Sequence, residues 1–512
     1  MKLVWRFTFA ALLLVSLFIQ SRIFLNFDVI YLSDAAKRLL AGGTYTNDFF
    51  ETNPPLILFL YLPAIFLAKL TSISLSVAMR IYFFSFIIAC VSTCSFFLEK
   101  ILGEKNPLRY TILLAISFVL LFLPVHQMGQ REYFLILFSL PYLFLAILRI
   151  ENKSLPASLA FAVGLFAGIG FALKPFFLTL PILIELYLIY KKRNLFSVFR
   201  IETLTIASFC VSYLVSIFYF FPDYIHVILP FVSRVYFIGM KSSWVDYFKN
   251  LPVIFCYSSL LFYGLTRKID RYSTLSTVFF LAVLGFILTF TIPRSVWYYH
   301  VLPAMAMACI LFAILLEQII ADTLRSFEFQ SKWSARLEST LLIAMVLVIF
   351  AIPVGLSSYL LSRIFAETHD KTAKQLYAFF DRYTPNNTFT CFSVSSDYSI
   401  LEYYSTAKYV GTSAFFWWQY GFSVLQKELK DKPALIQLQK DRVFAAAMVT
   451  HNLIQKKPRF VMIDTLAGKI YLKKEVDYIE ELSQYKNFRR VWNQYRYATT
   501  IGRFKIFELK SQ

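Results

Sequence analysis

Gly129-Gln130-Arg131-Glu132-Tyr133-Phe134-Leu135-Ile136-Leu137-Phe138-Ser139-Leu140-Pro141-Tyr142-Leu143-Phe144-Leu145-Ala146-Ile147-Leu148-Arg149 places a basic-acidic pair directly ahead of a stretch that carries no charge until Arg149. A helix rises about 1.5 Å per residue, so a run of roughly 17 to 25 apolar residues crosses the hydrocarbon core of a bilayer. Comparable runs fall near 7–25, 54–71, 76–98, 109–125, 156–172, 175–190, 199–221, 251–266, 273–292, 300–320 and 338–361, and none follows. The pattern predicts a mostly α, polytopic transmembrane helical bundle over 1–362, with a long outer first loop at 26–53 and a small soluble α/β domain over 363–512.

Composition agrees. Of the 512 residues 58% are hydrophobic, 19% aromatic and only 16% charged, whereas soluble domains carry about 25% charged residues. The net charge of +20 fits basic cytoplasmic loops and anionic headgroups and does not call for nucleic acid. The six cysteines are scattered, five of them inside apolar runs, with no disulfide framework or zinc spacing. Lys2 and Arg6 precede an apolar run without a small-x-small cleavage site, which reads as an uncleaved first helix.

Basic loops set the orientation. Lys191, Lys192, Arg193 and Arg200, then Arg267, Lys268 and Arg271, then Arg325, Lys332 and Arg336 are expected to be cytoplasmic. Counting from them places 126–132 outside. The count from the N-terminus agrees only if one run fails to cross, and 54–71, which begins Asn53-Pro54-Pro55 and contains Pro63, is the weakest. About eleven crossings then leave the N-terminus inside and the C-terminal domain outside. Beyond 362, an amphipathic helix near 367–382, strands at 388–394 and 459–464, helices across 420–456 and a terminal hairpin or edge strand at 498–509 are expected.

Four stretches could carry chemistry. The first outer loop runs from Asp28 through Tyr31, Ser33, Asp34, Lys37, Arg38, Gly42-Gly43, Asp48 and Glu51 to Asn53. Asp28, where the first membrane helix meets the outer surface, could take a proton from an incoming hydroxyl. Asp34 or Ser33 reads better as a cap of a helix at 35–40 ended by Gly42-Gly43. Arg131-Glu132 on a short outer loop would ordinarily be a solvated ion pair, but it shares the outer face with Asp28.

In the third stretch, Gly164, Gly168 and Gly170 precede Lys174-Pro175. The glycines suit close helix packing, and a cation at a helix break near the outer boundary calls for an anion such as a lipid phosphate. The fourth is Pro293-Arg294-Ser295-Val296-Trp297-Tyr298-Tyr299-His300, an interfacial aromatic belt in which Arg294 and His300 add donors suited to a phosphate or a sugar hydroxyl.

Together these residues resemble the GT-C glycosyltransferases, in the branch of the aminoarabinose lipid A transferases, protein O-mannosyltransferases and rhizobial galacturonic acid transferases. The resemblance covers about 20–310. It implies that Asp28, with Tyr31 in its segment, is the catalytic aspartate, that Glu132 is the acidic residue of the second outer loop, that Lys174 is the carrier-phosphate lysine, and that His300 stands where some members place a phosphate-contacting tyrosine. Asn53 stands where the aminoarabinose enzymes carry a lysine, and Val29 replaces the second acid of the mannosyltransferases.

The implied partners are a polyprenyl-phosphate-linked sugar donor, a lipid or glycan acceptor and membrane lipids, in a bacterial inner membrane. Arg131 and Arg294 would join Lys174 on the departing phosphate. No motif calls for a cofactor, and a divalent metal requirement is left open. A multi-pass transporter or flippase is the alternative, although such proteins commonly show internal repeats and charges near the midplane. A polysaccharide ligase is a third reading.

Overall fold

A computed structural model describes residues 2–239, 241–329, 351–367, 370–396, 398, 401, 402, 405–466, 472 and 476–510. Lys332, Arg336 and most of the run at 338–361 lie outside the described residues. The helices through the apolar region are α1 (Lys2–Ser21), α2 (Phe27–Leu40), α3 (Leu56–Thr71), α4 (Leu75–Leu102), α5 (Pro107–Leu121), α6 (Arg131–Ile150) and α7 (Ala157–Ala172). They continue as α8 (Thr179–Lys192), α9 (Ile201–Phe220), α10 (Leu229–Gly239), α11 (Trp244–Lys249), α12 (Leu251–Thr266), α13 (Ser273–Thr291) and α14 (Tyr298–Phe329). Among the described residues, α1, α4, α6, α9, α13 and residues 298–321 of α14 are long and apolar enough to cross a membrane.

The chain forms two compact units. The first comprises 1–23, 77–215 and 242–364; the second comprises 24–76, 216–241 and 365–512.

In the first unit, α6 is the core helix, buried over nearly its whole length. The glycines of α7 act as packing surfaces: an added Cβ at Gly164 would lie 2.8 Å from the backbone of Glu202 on α9, and at Gly170 it would lie 3.2 Å from Cβ of Phe138 on α6. Arg149 is no solvated loop charge. It donates from Nε and Nη2 to the carboxylate of Glu202, at 2.9 and 3.1 Å, and Arg200 donates to Glu202 and Glu185. Glu202 is buried, so two guanidiniums compensate a carboxylate that would otherwise be costly there.

In the second unit, the expected cap of the first-loop helix is corrected. α2 begins at Phe27, and the Asn26 side chain caps it by accepting the Asp28 amide at 2.9 Å. Asp34 is therefore a mid-helix residue, paired at 2.6 Å with Arg38 one turn on, and the Ser33 hydroxyl donates to the Ile30 carbonyl. Gly42, in the left-handed region at φ 85°, ends the helix as expected.

The second unit also holds a mixed sheet of strands β1 (Thr388–Phe392), β2 (Lys408–Tyr409), β3 (Phe460–Asp464), β4 (Tyr495–Ile501) and β5 (Phe504–Leu509), in the order β2-β1-β3-β5-β4. β1 runs parallel to β2 and β3, while β5 is antiparallel to β3 and β4. Every residue of central β3 is buried; edge strand β4 is largely exposed. Helices at Lys371–Asp381, Trp418–Glu428 and Lys432–Lys456 match the expected positions. At Gly421 an added Cβ would lie 2.2 Å from the Val235 carbonyl oxygen, which sets the close approach of that helix to α10.

The segment 409–412 anchors the loop that follows α2. Arg38 donates to the carbonyls of Tyr409, Gly411 and Asp48 at 2.7, 2.8 and 2.8 Å, and the Phe50 amide donates to Thr412 at 2.6 Å. Glu402 accepts the Tyr409 amide at 3.0 Å. Burial, reinforced by the Asp34 carboxylate, pushes Glu402 up to about 8, against the opposing pull of the Tyr409 amide and the Arg38 guanidinium. The folded chain thus keeps a proton that the unfolded chain releases. This stabilisation is complete below the ordinary carboxyl range and is lost as pH rises through about 8. The unfolding midpoint of the full chain in detergent should fall from about pH 6 to about pH 9, and Glu402→Gln should flatten the fall. An unchanged slope in that variant would exclude Glu402 as its source.

Candidate functional site: a buried Glu-Lys-His cluster

The site is built around the start of α6. The chain leaves α5 through a tight segment at 122–130, and carbonyls at its start are claimed by neighbouring helices: Ser16 donates to Leu121, the last residue of α5, at 2.9 Å, Gln20 to Val125 at 2.6 Å, and Tyr298 to Leu123. Gly129 turns the chain into α6 at φ 86°, a conformation that L side chains rarely adopt. A Cβ there would also meet the buried Phe83 ring at 2.3 Å. Gly129→Ala should cost about 2 to 4 kcal/mol and lower the yield of folded protein in detergent. A wild-type melting temperature in that variant would mean that the turn relaxes at no cost.

Arg131 and Glu132 occupy the first turn of α6 rather than the loop before it, which corrects their placement, and at 5% and 1% exposure they are not the solvated pair that such residues ordinarily form. Burial follows from the packing of α14 and α7 around this end of α6. The Glu132 carboxylate stands at the positive end of the helix dipole and accepts a 2.5 Å charge-assisted hydrogen bond from Lys174 Nζ. Among the described residues its second oxygen, Oε2, is buried with no hydrogen-bond partner.

Lys174 sits where α7 ends. Pro175 disfavours helix in the residue before it, and Lys174 is extended at φ −146°, ψ 140°, ahead of a short 3-10 turn at Pro175–Leu178. That break carries the ammonium off the helix axis to Glu132, and the Tyr299 and Phe177 rings lie 5.7 and 5.8 Å from it.

His300, in the first turn of α14, completes the group. Its Nε2 lies 3.5 Å from Lys174 Nζ and 3.6 Å from Glu132 Oε1, and its Nδ1 lies 2.6 Å from Ser295 Oγ. The Tyr299 ring packs against the imidazole at 4.2 Å, and Arg131 lies within electrostatic reach of it. Three residues named from sequence, Glu132, Lys174 and His300, thus meet within one unit.

Others are placed elsewhere. The Arg294 guanidinium packs over the Trp244 ring at 5.2 Å. Asp28, Tyr31 and Asn53 belong to the other unit. Asp28 is partly exposed in the first turn of α2; the Tyr31 hydroxyl donates to the Thr412 carbonyl at 2.9 Å; and the Asn53 amide donates to buried Glu51 at 2.5 Å. Sequence reading missed Ser295 and Tyr299 as members of the cluster. Their nearness to His300 in the chain was the only signal. Among the described residues no group of histidine, cysteine and carboxylate side chains suits a metal ion.

No family model matches the chain, and no curated protein matches it. Solved structures do. ArnT from Cupriavidus metallidurans bound to undecaprenyl phosphate aligns with a TM-score of 0.56 at 13% identity, over 98% of this chain and 97% of that one. Its apo form aligns at 0.56 and 12% identity, over 99% and 98%. Arabinofuranosyltransferase AftD from Mycobacteria gives a TM-score of 0.48 at 11% identity, over 99% of this chain and 40% of that one. A shared architecture over both full lengths, with a small C-terminal sheet, identifies the chain as a polytopic helical membrane protein of the GT-C-like fold that ArnT adopts.

Proposed function

We propose that the protein is a membrane glycosyltransferase that moves a sugar from a polyprenyl-phosphate carrier to an extracytoplasmic lipid, glycan or protein acceptor. The observation that carries this reading is the Glu132-Lys174-His300 cluster, a buried ion pair at a helix break with one carboxylate oxygen left open, in a chain that shares its fold with a protein crystallised with undecaprenyl phosphate. Fold alone does not set function, so the cluster bears the weight.

In this mechanism the acceptor hydroxyl oxygen attacks the anomeric carbon, the bond from that carbon to the phosphate oxygen breaks, and the carrier leaves as its phosphate anion. Asp28 receives the hydroxyl proton as general base. Lys174, with Arg131 close by, stabilises the phosphate charge, and Glu132 holds Lys174 in place. Displacement in one step inverts the anomeric centre.

The same reading places the membrane body at 1–362 and an outward-facing domain at 363–512. Cysteines at exposed Arg193 and Lys430 should be labelled from opposite sides of the membrane. Gln130 is buried and unsuited to such labelling. The deciding experiment is lipid analysis of a deletion strain, with transfer of labelled sugar measured in membranes that hold the full chain. Accumulation of a polyprenyl-linked sugar and loss of transfer are expected. Unchanged lipid-linked sugars would overturn the proposal, and movement of that lipid across the bilayer without transfer would favour a flippase.

A further inference from the structure

Ser295 is buried at 3% exposure in the turn between α13 and α14, its amide donating to the Phe290 carbonyl at 3.0 Å. From that turn the hydroxyl is presented to His300 Nδ1, 2.6 Å away. The ring pinned there points its other nitrogen, Nε2, at Lys174 and Glu132. A neutral imidazole has one N–H and one lone pair, and the partner of Nδ1 decides which of them Nε2 presents. When Ser295 accepts from Nδ1–H, Nε2 offers a lone pair, which suits the Lys174 ammonium. When the hydroxyl rotates and donates to Nδ1, Nε2 carries the proton and becomes a donor, which suits a phosphate oxygen. A hydroxyl can serve in both directions; a carbonyl, an amide N–H or a carboxylate serves in one.

We propose that Ser295 is a positioning residue for the carrier phosphate: it holds the His300 ring and lets Nε2 change from accepting Lys174 to donating to the incoming phosphate. In this tautomer change the Nδ1–H bond breaks and an Nε2–H bond forms: the Ser295 hydroxyl takes up the Nδ1 proton as it passes its own to solvent, and Nε2 takes a proton from solvent or from the phosphate. This inference rests on the carrier-phosphate reading of the Glu132-Lys174-His300 cluster.

Binding of undecaprenyl phosphate to the full chain in detergent tests it, with Ser295→Ala, Ser295→Thr, His300→Ala, Lys174→Gln and the Ser295→Ala/His300→Ala double variant. Ser295→Ala should weaken binding roughly 3- to 10-fold, the scale of one hydrogen bond. Ser295→Thr, which keeps the hydroxyl, should restore it to within about twofold, and Ser295→Ala should add nothing once His300 is alanine. If Ser295→Ala fails to fold, Ser295→Cys fills the same space with a much weaker donor and should show the same loss. Wild-type affinity in Ser295→Ala, or an effect that simply adds to that of His300→Ala, overturns the inference while Lys174→Gln still weakens binding. Wild-type affinity in Lys174→Gln overturns the carrier-site reading and this inference with it.

Discussion

Asp28→Asn is expected to abolish sugar transfer while leaving donor binding intact. The amide keeps the shape of the carboxylate but cannot take the proton of the acceptor hydroxyl, and base catalysis is typically worth about 100- to 10,000-fold in rate. A purely structural role predicts a far smaller effect. The Asp28 side chain stands in the first turn of α2, whose N-terminus is capped by Asn26, so neutralising it forfeits a favourable helix-dipole interaction of about 0.3 to 1 kcal/mol. Transfer of labelled sugar in membranes, normalised to protein level, separates the two. Activity within about threefold of wild type in Asp28→Asn, with Asp34→Asn inactive, would move the base to Asp34. That outcome would have to accommodate the 2.6 Å pair between Asp34 and Arg38, which commits Asp34 to holding a side chain that anchors the loop after α2.

Lys174→Met should damage both stability and ligand binding. From sequence the lysine reads as a lone cation whose removal costs binding alone. Its 2.5 Å pairing with Glu132, at 2% side-chain exposure, adds a second cost, because methionine leaves a buried carboxylate without its cation. Breaking a buried pair on one side typically costs about 3 to 5 kcal/mol. Lys174→Met should therefore lower the melting temperature in detergent as well as weaken the binding of undecaprenyl phosphate. Lys174→Gln, whose amide still donates to Glu132 Oε1, should lose binding with less loss of stability. Lys174→Met/Glu132→Gln should recover stability without recovering binding. A Lys174→Met protein as stable as wild type would show that Glu132 takes up a proton or finds another partner at no cost.

Much of the architecture was legible because its signals are local. Uncharged runs such as 133–148 announce spanning helices, since unpaired backbone and charge are both expensive in hydrocarbon. The strands at 388–392 and 460–464, the terminal hairpin and the amphipathic helix at 371–381 were legible from alternation and helical periodicity. The glycines of α7 are legible as packing positions because a residue without a side chain on an apolar helix has few other uses. The start of α2 is not legible in this way. Several polar residues, Asn26, Ser33 and Asp34, could each cap a helix, and local sequence does not rank them.

The sequence by itself determined that this is a multi-pass membrane protein with a mixed α/β C-terminal segment, and it singled out Glu132, Lys174 and His300. Only the tertiary structure decided that they meet. Lys174 is 42 residues from Glu132 and 126 from His300, and no periodicity spans such separations. Partner choice among charges depends on which helix ends pack together and how much water they exclude. The same holds for Arg38 on the carbonyls of Tyr409 and Gly411, which joins α2 to the C-terminal segment in one compact unit. Burial is what turned an apparently solvated pair at 131–132 into the core of the site, because inside the bundle a charge persists only beside the opposite charge or hydrogen bonds that replace its water.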